Sequence, residues 1–255
     1  GMPVARGTLQ SEFVHKPFAE LRRLGLTEQT EVQVREAYPE ETGLLVVERV
    51  IPGAEVGGFL QPGDILVRIN GEMVMGFVPV EATLDDNVGR EVSLQIERRG
   101  EVIERSITVD DLHQITPFEF IQYGDGVFNN LSYQQARHYN RPVSGVYVAN
   151  PGYIFGSAAI PRASLILSVD GDEMRNLDDL QRVLERIPDG SRVTVRFTHF
   201  DDPQTERQRV IINDRDWFPA ERCQRNDQTG LWPCKQLASV PVVTTPAVSY
   251  THLRA

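Results

Sequence analysis

The sequence lacks the features that support membrane insertion or nucleic-acid binding. No run of about 18 apolar residues occurs, and the first residues lack the apolar core of a signal peptide. Lys and Arg form no cluster and the formal net charge is −10, so binding to a phosphate backbone is not expected. Gly1 before Met2 is typical of a residue left by tag removal, so we expect the natural chain to begin further upstream.

Metal-ligating residues are also scarce. The two cysteines, Cys223 and Cys234, are too few for a four-ligand zinc site, although a disulfide between them would fit an exported protein. His113 follows two aspartates but no nucleophile motif accompanies it, which favours a surface turn over a general base. Residues 170–173 superficially resemble a calcium loop but lack its further ligands, so a hairpin is favoured. We therefore predict no metal site and no cofactor.

What the sequence does contain is a repeat about 100 residues apart. Residues 43–46 and 63–72 match residues 145–148 and 164–172. With 255 residues, of which 40% are hydrophobic and 24% charged, the chain is long enough for two globular domains. The repeat therefore predicts two copies of one small module.

Each copy has the same predicted order of elements. An apolar strand is followed by a turn and by a second apolar strand that closes at Asn70-Gly71 or Asp170-Gly171, both hairpin signals. An amphipathic stretch follows, at residues 77–84 or 177–184, and two more strands complete the copy. This order suggests a PDZ domain.

Three segments carry a more specific resemblance. Residues 15–26 (HKPFAELRRLGL), 111–117 (DLHQITP) and 131–137 (LSYQQAR) resemble segments of HtrA-family, DegP-like serine proteases, in particular the fungal nuclear HtrA-like protease and its bacterial relatives. The resemblance covers about residues 5 to 235. Members of this family carry a chymotrypsin-like domain with a Gly-x-Ser-Gly-type loop, which this sequence lacks. The resemblance implies that the parent is a serine endopeptidase and that this chain is its non-catalytic, peptide-binding region.

We predict an α+β, mainly β fold made of two PDZ-like domains. Each would be a small, partly open β-barrel or sandwich with two or more short helices. The first domain is predicted at residues 5–112, the second at residues 113–217, and an irregular tail at residues 218–255.

The candidate site residues follow from β-augmentation, in which a peptide adds to an exposed strand and its carboxylate meets free N–H groups of the preceding loop. In the first copy they are Thr8, Leu9, Gln10, Ser11 and Phe13, with Val80 and Leu84 on the facing helix; in the second they are Phe128, Asn129, Asn130 and Leu131, with Leu177, Leu180 and Leu184 opposite. The family loop normally has glycine where we align Gln10 and Asn129, and asparagine tolerates left-handed geometry better than glutamine. The apolar members of this set also fit a purely structural core.

The partners follow from the resemblance. They are hydrophobic peptides, C-termini of unfolded proteins, and the protease domain of the parent. Whether that protease domain also forms a homo-oligomer is left open. Neither nucleic acid nor membrane insertion is expected. A structural module with closed grooves and a stand-alone PDZ adaptor remain alternatives. The compartment is undetermined, since relatives occur in bacterial envelopes and in fungal nuclei.

Overall fold

The computed structural model describes residues 5–240, which divide into two compact units. Within the described residues, unit 1 comprises residues 5–117 and 132–143, and unit 2 comprises residues 118–131 and 144–240. This division differs from the predicted boundary after residue 112, because residues 132–143 pack with unit 1 although they follow the first strands of the second copy.

Unit 1 is built from short strands and four α-helices. Its elements are β1 (Gly7–Thr8), β2 (Ser11–Pro17), α1 (Phe18–Leu24), α2 (Glu28–Ala37), β3 (Gly43–Val50), a 3-10 helix (Glu55–Gly58), β4 (Ile65–Ile69), β5 (Glu72–Met73), α3 (Phe77–Asp86), β6 (Glu91–Arg98), β7 (Glu101–Thr108), β8 (Asp110–Asp111) and α4 (Tyr133–Tyr139). The main sheet has the order β2-β3-β4-β6-β7, with β5 beside β4, and β1 pairs with β8 in a separate ladder. All of these pairs are antiparallel.

Local sequence explains how several of these elements begin and end. Helix α1 follows Pro17 and stops at Gly25, whose φ of 104° is the left-handed conformation that glycine adopts without strain. Asn70 and Gly71 have φ of 51° and 82°, the geometry of a two-residue hairpin, as predicted. Helix α4 begins with a capping box, in which Ser132 and Gln135 bond to each other's backbone N–H groups.

The core of unit 1 lies on both faces of its sheet. Leu45 and Val47 of β3 belong to a cluster on one face, whereas Leu44 and Val46 belong to a cluster that α1 and α2 cover on the other. A strand buried on both faces has a continuous apolar sequence, which explains the run at the start of β3.

A buried ion pair closes the turn before β4. Asp64 is 1% exposed, and its two carboxylate oxygens accept from Arg98 Nε at 2.7 Å and Nη2 at 2.8 Å. The N–H of Gln61 donates to Asp64 Oδ2 at 2.7 Å. The carboxylate is therefore fully paired, as a buried charge requires.

Unit 2 contains one large antiparallel sheet and two helices in the described part of the chain. Its elements are β9 (Glu119–Tyr123), β10 (Gly126–Asn130), β11 (Val146–Asn150), α5 (Gly152–Ser157), β12 (Ser164–Val169), β13 (Asp172–Glu173), α6 (Leu177–Arg186), β14 (Arg192–His199), β15 (Asp202–Ile212), β16 (Glu221–Gln224) and β17 (Cys234–Gln236). The strand order is β15-β14-β12-β11-β10-β9-β16-β17, with β13 beside β12. The predicted α+β, mainly β fold class is confirmed.

The stretch predicted as an irregular tail contributes two strands to this sheet. β16 pairs with β9, and β17 pairs with β16 so that Cys223 lies opposite Cys234. Strands this short have too little periodicity to be recognised in the sequence. Residues 241–255 of the predicted tail lie outside the described residues. Among the described residues, none of the helices has the length and apolar character needed to span a membrane.

Candidate peptide-binding grooves

The candidate loop of unit 1 joins β1 to β2 and is held by its own side chains. Gln10 has φ of 50°, a left-handed conformation that is uncommon outside glycine. Its N–H donates to Thr8 Oγ at 3.0 Å, and its side-chain amide donates to Asp110 Oδ2 at 2.8 Å. Its carbonyl accepts from the N–H of Ile51 at 2.9 Å. Three hydrogen bonds thus maintain a conformation that the family obtains with glycine.

The predicted apolar residues of unit 1 come together beside this loop. Leu9, Val80 and Leu84 are buried in one cluster, and the half-buried Phe13 packs against it. Gly7 allows β1 to approach α3 closely, because a Cβ there would lie 2.2 Å from the carbonyl oxygen of Leu84. These residues therefore form one apolar wall beside the loop, and most of it is buried in the core of unit 1.

Strand β2 is an edge of the main sheet of unit 1. It pairs with β3 from Ser11 to Pro17, and no other strand of the described chain pairs with it. An edge strand presents unpaired N–H and C=O groups that a further strand can complete. The edge of β2 is thus unpaired within the described part of the sheet of unit 1.

Phe77 extends the apolar wall, although it was not among the predicted site residues. It precedes Val80 and Leu84 by three and seven positions, so the three side chains share one face of α3. Phe77 is 47% exposed, whereas the other two are buried. The i, i+3, i+7 spacing was the signal that could have identified it.

The hydrogen-bond register corrects the alignment of the two copies at their first strands. β2 and β10 both carry an irregularity of register, between Glu12 and Phe13 in one and between Val127 and Phe128 in the other. Phe128 is therefore the counterpart of Phe13 and not of Leu9, and the predicted loop of unit 2 must move by four residues.

The loop of unit 2 is accordingly the turn at residues 123–126. Asp125 has φ of 62° where its counterpart Gln10 has 50°, and Asn129, which we aligned with the family's glycine, lies within β10. Gly124 also has φ of 62°, so both central positions of the turn have positive φ, as in a type I′ hairpin. This turn reverses β9 directly onto β10.

Strand β9 therefore lies along the edge of β10. Tyr123 is opposite Gly126 and Ile121 is opposite Phe128 in an antiparallel ladder, while the other edge of β10 pairs with β11. The strand that corresponds to β2 thus has partners on both sides. In unit 2 the chain's own strand β9 therefore pairs with the edge that is unpaired in β2 of unit 1.

The side chains of β9 are integral to the core of unit 2. Ile121 and Tyr123 are buried in one cluster together with Phe128 and the predicted residues of α6, which are Leu177, Leu180 and Leu184. The hydroxyl of Tyr123 donates to Asn213 Oδ1 at 2.8 Å, and burial raises the pKa of this tyrosine. Its hydroxyl therefore remains a donor.

The remaining predicted residues of the second groove make contacts inside unit 2. Asn130 Oδ1 accepts from the N–H of Leu177 at 2.8 Å, where α6 begins. Asn129 Nδ2 lies 3.4 Å from the carbonyl oxygen of Glu119 in β9. Leu131 is buried, and its N–H donates to the carbonyl of Gly145 at 3.0 Å.

Comparison with known proteins gives a family match for part of the chain. Residues 114–190 match the model of the PDZ-like domain family. This part of the chain is similar to PDZ-like domains. The matched residues include β9 and β10, the hairpin at residues 170–173 and helix α6.

The chain is also similar to segments of much longer proteins. It is 42% identical over 247 residues to the pro-apoptotic serine protease nma111 of Neosartorya fischeri, covering 96% of this chain and 24% of that protein. It is 42% identical over 248 residues to Protease Do-like 7 of Arabidopsis thaliana, covering 96% of this chain and 22% of that protein. The chain thus spans about a quarter of the length of the curated relatives it matches. The resemblance to the HtrA-like proteases is confirmed.

A solved structure described as HtrA-type protease AlgW with decapeptide is similar to part of the chain. The likeness covers 42% of this chain and 30% of that chain, with 22% sequence identity and a TM-score of 0.34.

Two charged clusters hold β9 and α6 of unit 2 in place. Arg222 of β16 donates to both carboxylate oxygens of Glu119, at 3.0 and 2.6 Å, and to Asp178 Oδ1 at 2.7 Å, so it links β9 to α6. In the first turn of α6, Asp179 is buried and accepts from Arg175 Nε at 2.9 Å and Arg182 Nη1 at 3.0 Å. The hydrogen bond from Arg175 is the main reason why the pKa of Asp179 falls from 3.8 to about 2.

A disulfide joins Cys223 to Cys234 next to these elements. Together with Glu221, these cysteines form the one group of potential metal-ligand atoms within 4.8 Å of one another in the described part of the chain. Because both sulfur atoms are bonded to each other, they offer no thiolate to a metal. The predicted hairpin at residues 170–173 is present, and Arg186 pairs with Asp172 there at 3.0 Å.

Proposed function

We propose that this chain is the peptide-binding region of a longer HtrA-like serine protease, in which the two units have different roles. Unit 1 binds an extended apolar peptide by strand addition to β2, which recruits substrates or regulates the protease. Unit 2 is a structural PDZ-like domain whose groove is filled by its own β9. Proteolysis takes place in the part of the parent protein outside this chain, in line with the names of the relatives.

One comparison between equivalent residues carries this proposal. Helices α3 and α6 begin after Gly76 and Asn176, so Phe77 and Leu177 hold the same first position. Leu177 is 0% exposed and belongs to the same buried cluster as Ile121 of β9, whereas Phe77 is 47% exposed. An aromatic side chain left exposed on the helix that carries the candidate apolar wall is typical of a site that a partner covers.

The proposed mode of binding defines the backbone conformation and the side-chain pattern of the ligand. Hydrogen bonds between the ligand backbone and the edge of β2 supply affinity that does not depend on sequence. Alternate ligand side chains then point toward α3, where Phe13 and Phe77 are accessible. The ligand is therefore an extended segment with alternating apolar residues.

Binding of a strand-forming probe tests the proposal. The probe is the peptide of residues 118–123 (FEFIQY), labelled with fluorescein at its N-terminus, because the fold already accepts this sequence beside β10. Saturable binding to the chain is expected. Phe77→Ala should weaken it about fivefold or more, whereas Val78→Ala, a matched control at an exposed neighbour, should leave it unchanged.

A second arm tests strand addition itself. Alternate N–H groups of an added strand point to the partner strand, so N-methylation of every second peptide bond should abolish binding in one register and spare it in the other. Absence of binding by this probe and by a panel of apolar extended peptides would contradict the proposed function. Equal effects of both methylation registers would contradict strand addition.

A further inference from the structure

Two backbone donors at the loop of unit 1 are already bonded to the chain's own oxygen atoms. The N–H of Gly7 donates to Asp85 Oδ1 at 2.8 Å, and the N–H of Gln10 donates to Thr8 Oγ at 3.0 Å. Thr8 Oγ thus takes the place that a ligand carboxylate oxygen would take at Gln10. A carboxylate arriving at this loop would have to displace intramolecular acceptors.

The hydroxyl of Thr8 is fixed from a second direction. Tyr133, the first residue of α4, is buried and shares a side-chain hydrogen bond with Thr8. Arg137 of the same helix pairs with Glu12 in β2 and holds α4 against this end of the strand. Helix α4 therefore helps to hold the Thr8 hydroxyl in the position where it accepts from the N–H of Gln10.

The charges around the loop also disfavour a free carboxylate. Asp110 Oδ2 accepts from the side-chain amide of Gln10, which is a neutral group and brings no positive charge to the loop. Asp85 contributes a second carboxylate, which is paired with Arg6 on its other oxygen at 2.7 Å. A ligand with a terminal negative charge would meet repulsion here.

We infer, building on the proposed function, that unit 1 recognises internal extended segments of polypeptide and does not require a free C-terminal carboxylate. The ligand class is a strand with alternating apolar residues whose chain continues beyond the groove, as β9 itself continues into the turn at Gly124. Affinity then comes from the edge of β2 and from the wall that includes Phe77.

Three forms of one peptide test this inference against the full chain. They are the sequence of residues 118–123 as a free acid, the same peptide as an amide, and an amide extended by residues 124–126 (FEFIQYGDG). Dissociation constants of the acid and the amide within about twofold of each other, with binding of the extended peptide retained, are the expected result. A preference for the acid of about tenfold or more would overturn the inference while leaving the proposed function intact. Loss of binding on extension would overturn it as well.

A variant of the loop supplies the positive control. Thr8→Val keeps the shape of the side chain but removes the oxygen that occupies the N–H of Gln10. The variant should bind the acid about tenfold more tightly relative to the amide, because a charge-assisted hydrogen bond becomes available. An unchanged ratio, in a variant whose circular dichroism matches the parent, would refute the role assigned to Thr8. If neither these three peptides nor the panel of apolar extended peptides binds the parent chain, the proposed function fails, and the inference fails with it.

Discussion

Replacing Ile121 tests whether β9 is a fixed strand of unit 2 and not an exchangeable guest in its groove. Ile121 is 0% exposed and lies opposite Phe128, and its strand is hydrogen-bonded to β10 on one side and to β16 on the other. Because both neighbours are held in ladders, the space left by a smaller side chain cannot collapse easily. Ile121→Ala should therefore lower the free energy of unfolding by about 3–5 kcal/mol, and Ile121→Val by about 0.5–1.5 kcal/mol.

Tryptophan fluorescence during urea unfolding measures the stability of unit 2, in which Ile121 lies. Both tryptophans of the chain, Trp217 and Trp232, lie in unit 2, and the ring of Trp232 is 5.4 Å from that of Phe120 in β9. Gln122→Ala, at an exposed side chain of the same strand, is the matched control and should change the free energy by less than about 0.5 kcal/mol. A loss below about 1 kcal/mol for Ile121→Ala would refute the reasoning, since it would mean that β9 is only weakly held.

Three further predictions concern the charges and the disulfide. Because its folded pKa is lowered to about 2, Asp179 stabilises unit 2 fully above about pH 4 and loses this contribution as the pH falls toward 2; Asp179→Asn should flatten that part of the stability profile in urea titrations. Reducing the Cys223–Cys234 disulfide should lower the free energy of unfolding by about 3 kcal/mol, and identical melting with and without reductant would contradict this. Asp64→Ala leaves Arg98 without its partner and should destabilise unit 1 by about 3 kcal/mol or more, measured by circular dichroism.

Much of the fold could be predicted because its signals are local. The hairpin at Asn70-Gly71, the glycine stop at Gly25 and the capping box at Ser132 depend on the conformational preferences of neighbouring residues. The repeat indicated two modules of one kind, and the order of strands and helices indicated the PDZ-like architecture. These features needed no knowledge of distant contacts.

The alignment of the first strands could not be read in the same way. The match between the copies is weak before β3, and only the hydrogen-bond register, with its irregularities at Phe13 and Phe128, identified these two residues as counterparts. A shift of four residues keeps the alternation of a strand, so the hydrophobic pattern does not exclude it. The sequence therefore predicted a loop at Phe128 that the structure places at the turn before Gly126.

The amino-acid pattern was enough to indicate the class of module, its duplication and the residue types that line each helix. Whether the edge of β2 or of β10 is open became clear from the fold, because strand pairing joins backbone groups that are nearly the same in every sequence. In unit 2 the positive φ values at Gly124 and Asp125 turn β9 onto β10, while in unit 1 β1 pairs with β8 and leaves β2 at the edge of its sheet. Two copies of one pattern thereby differ in the surface that they offer to a partner.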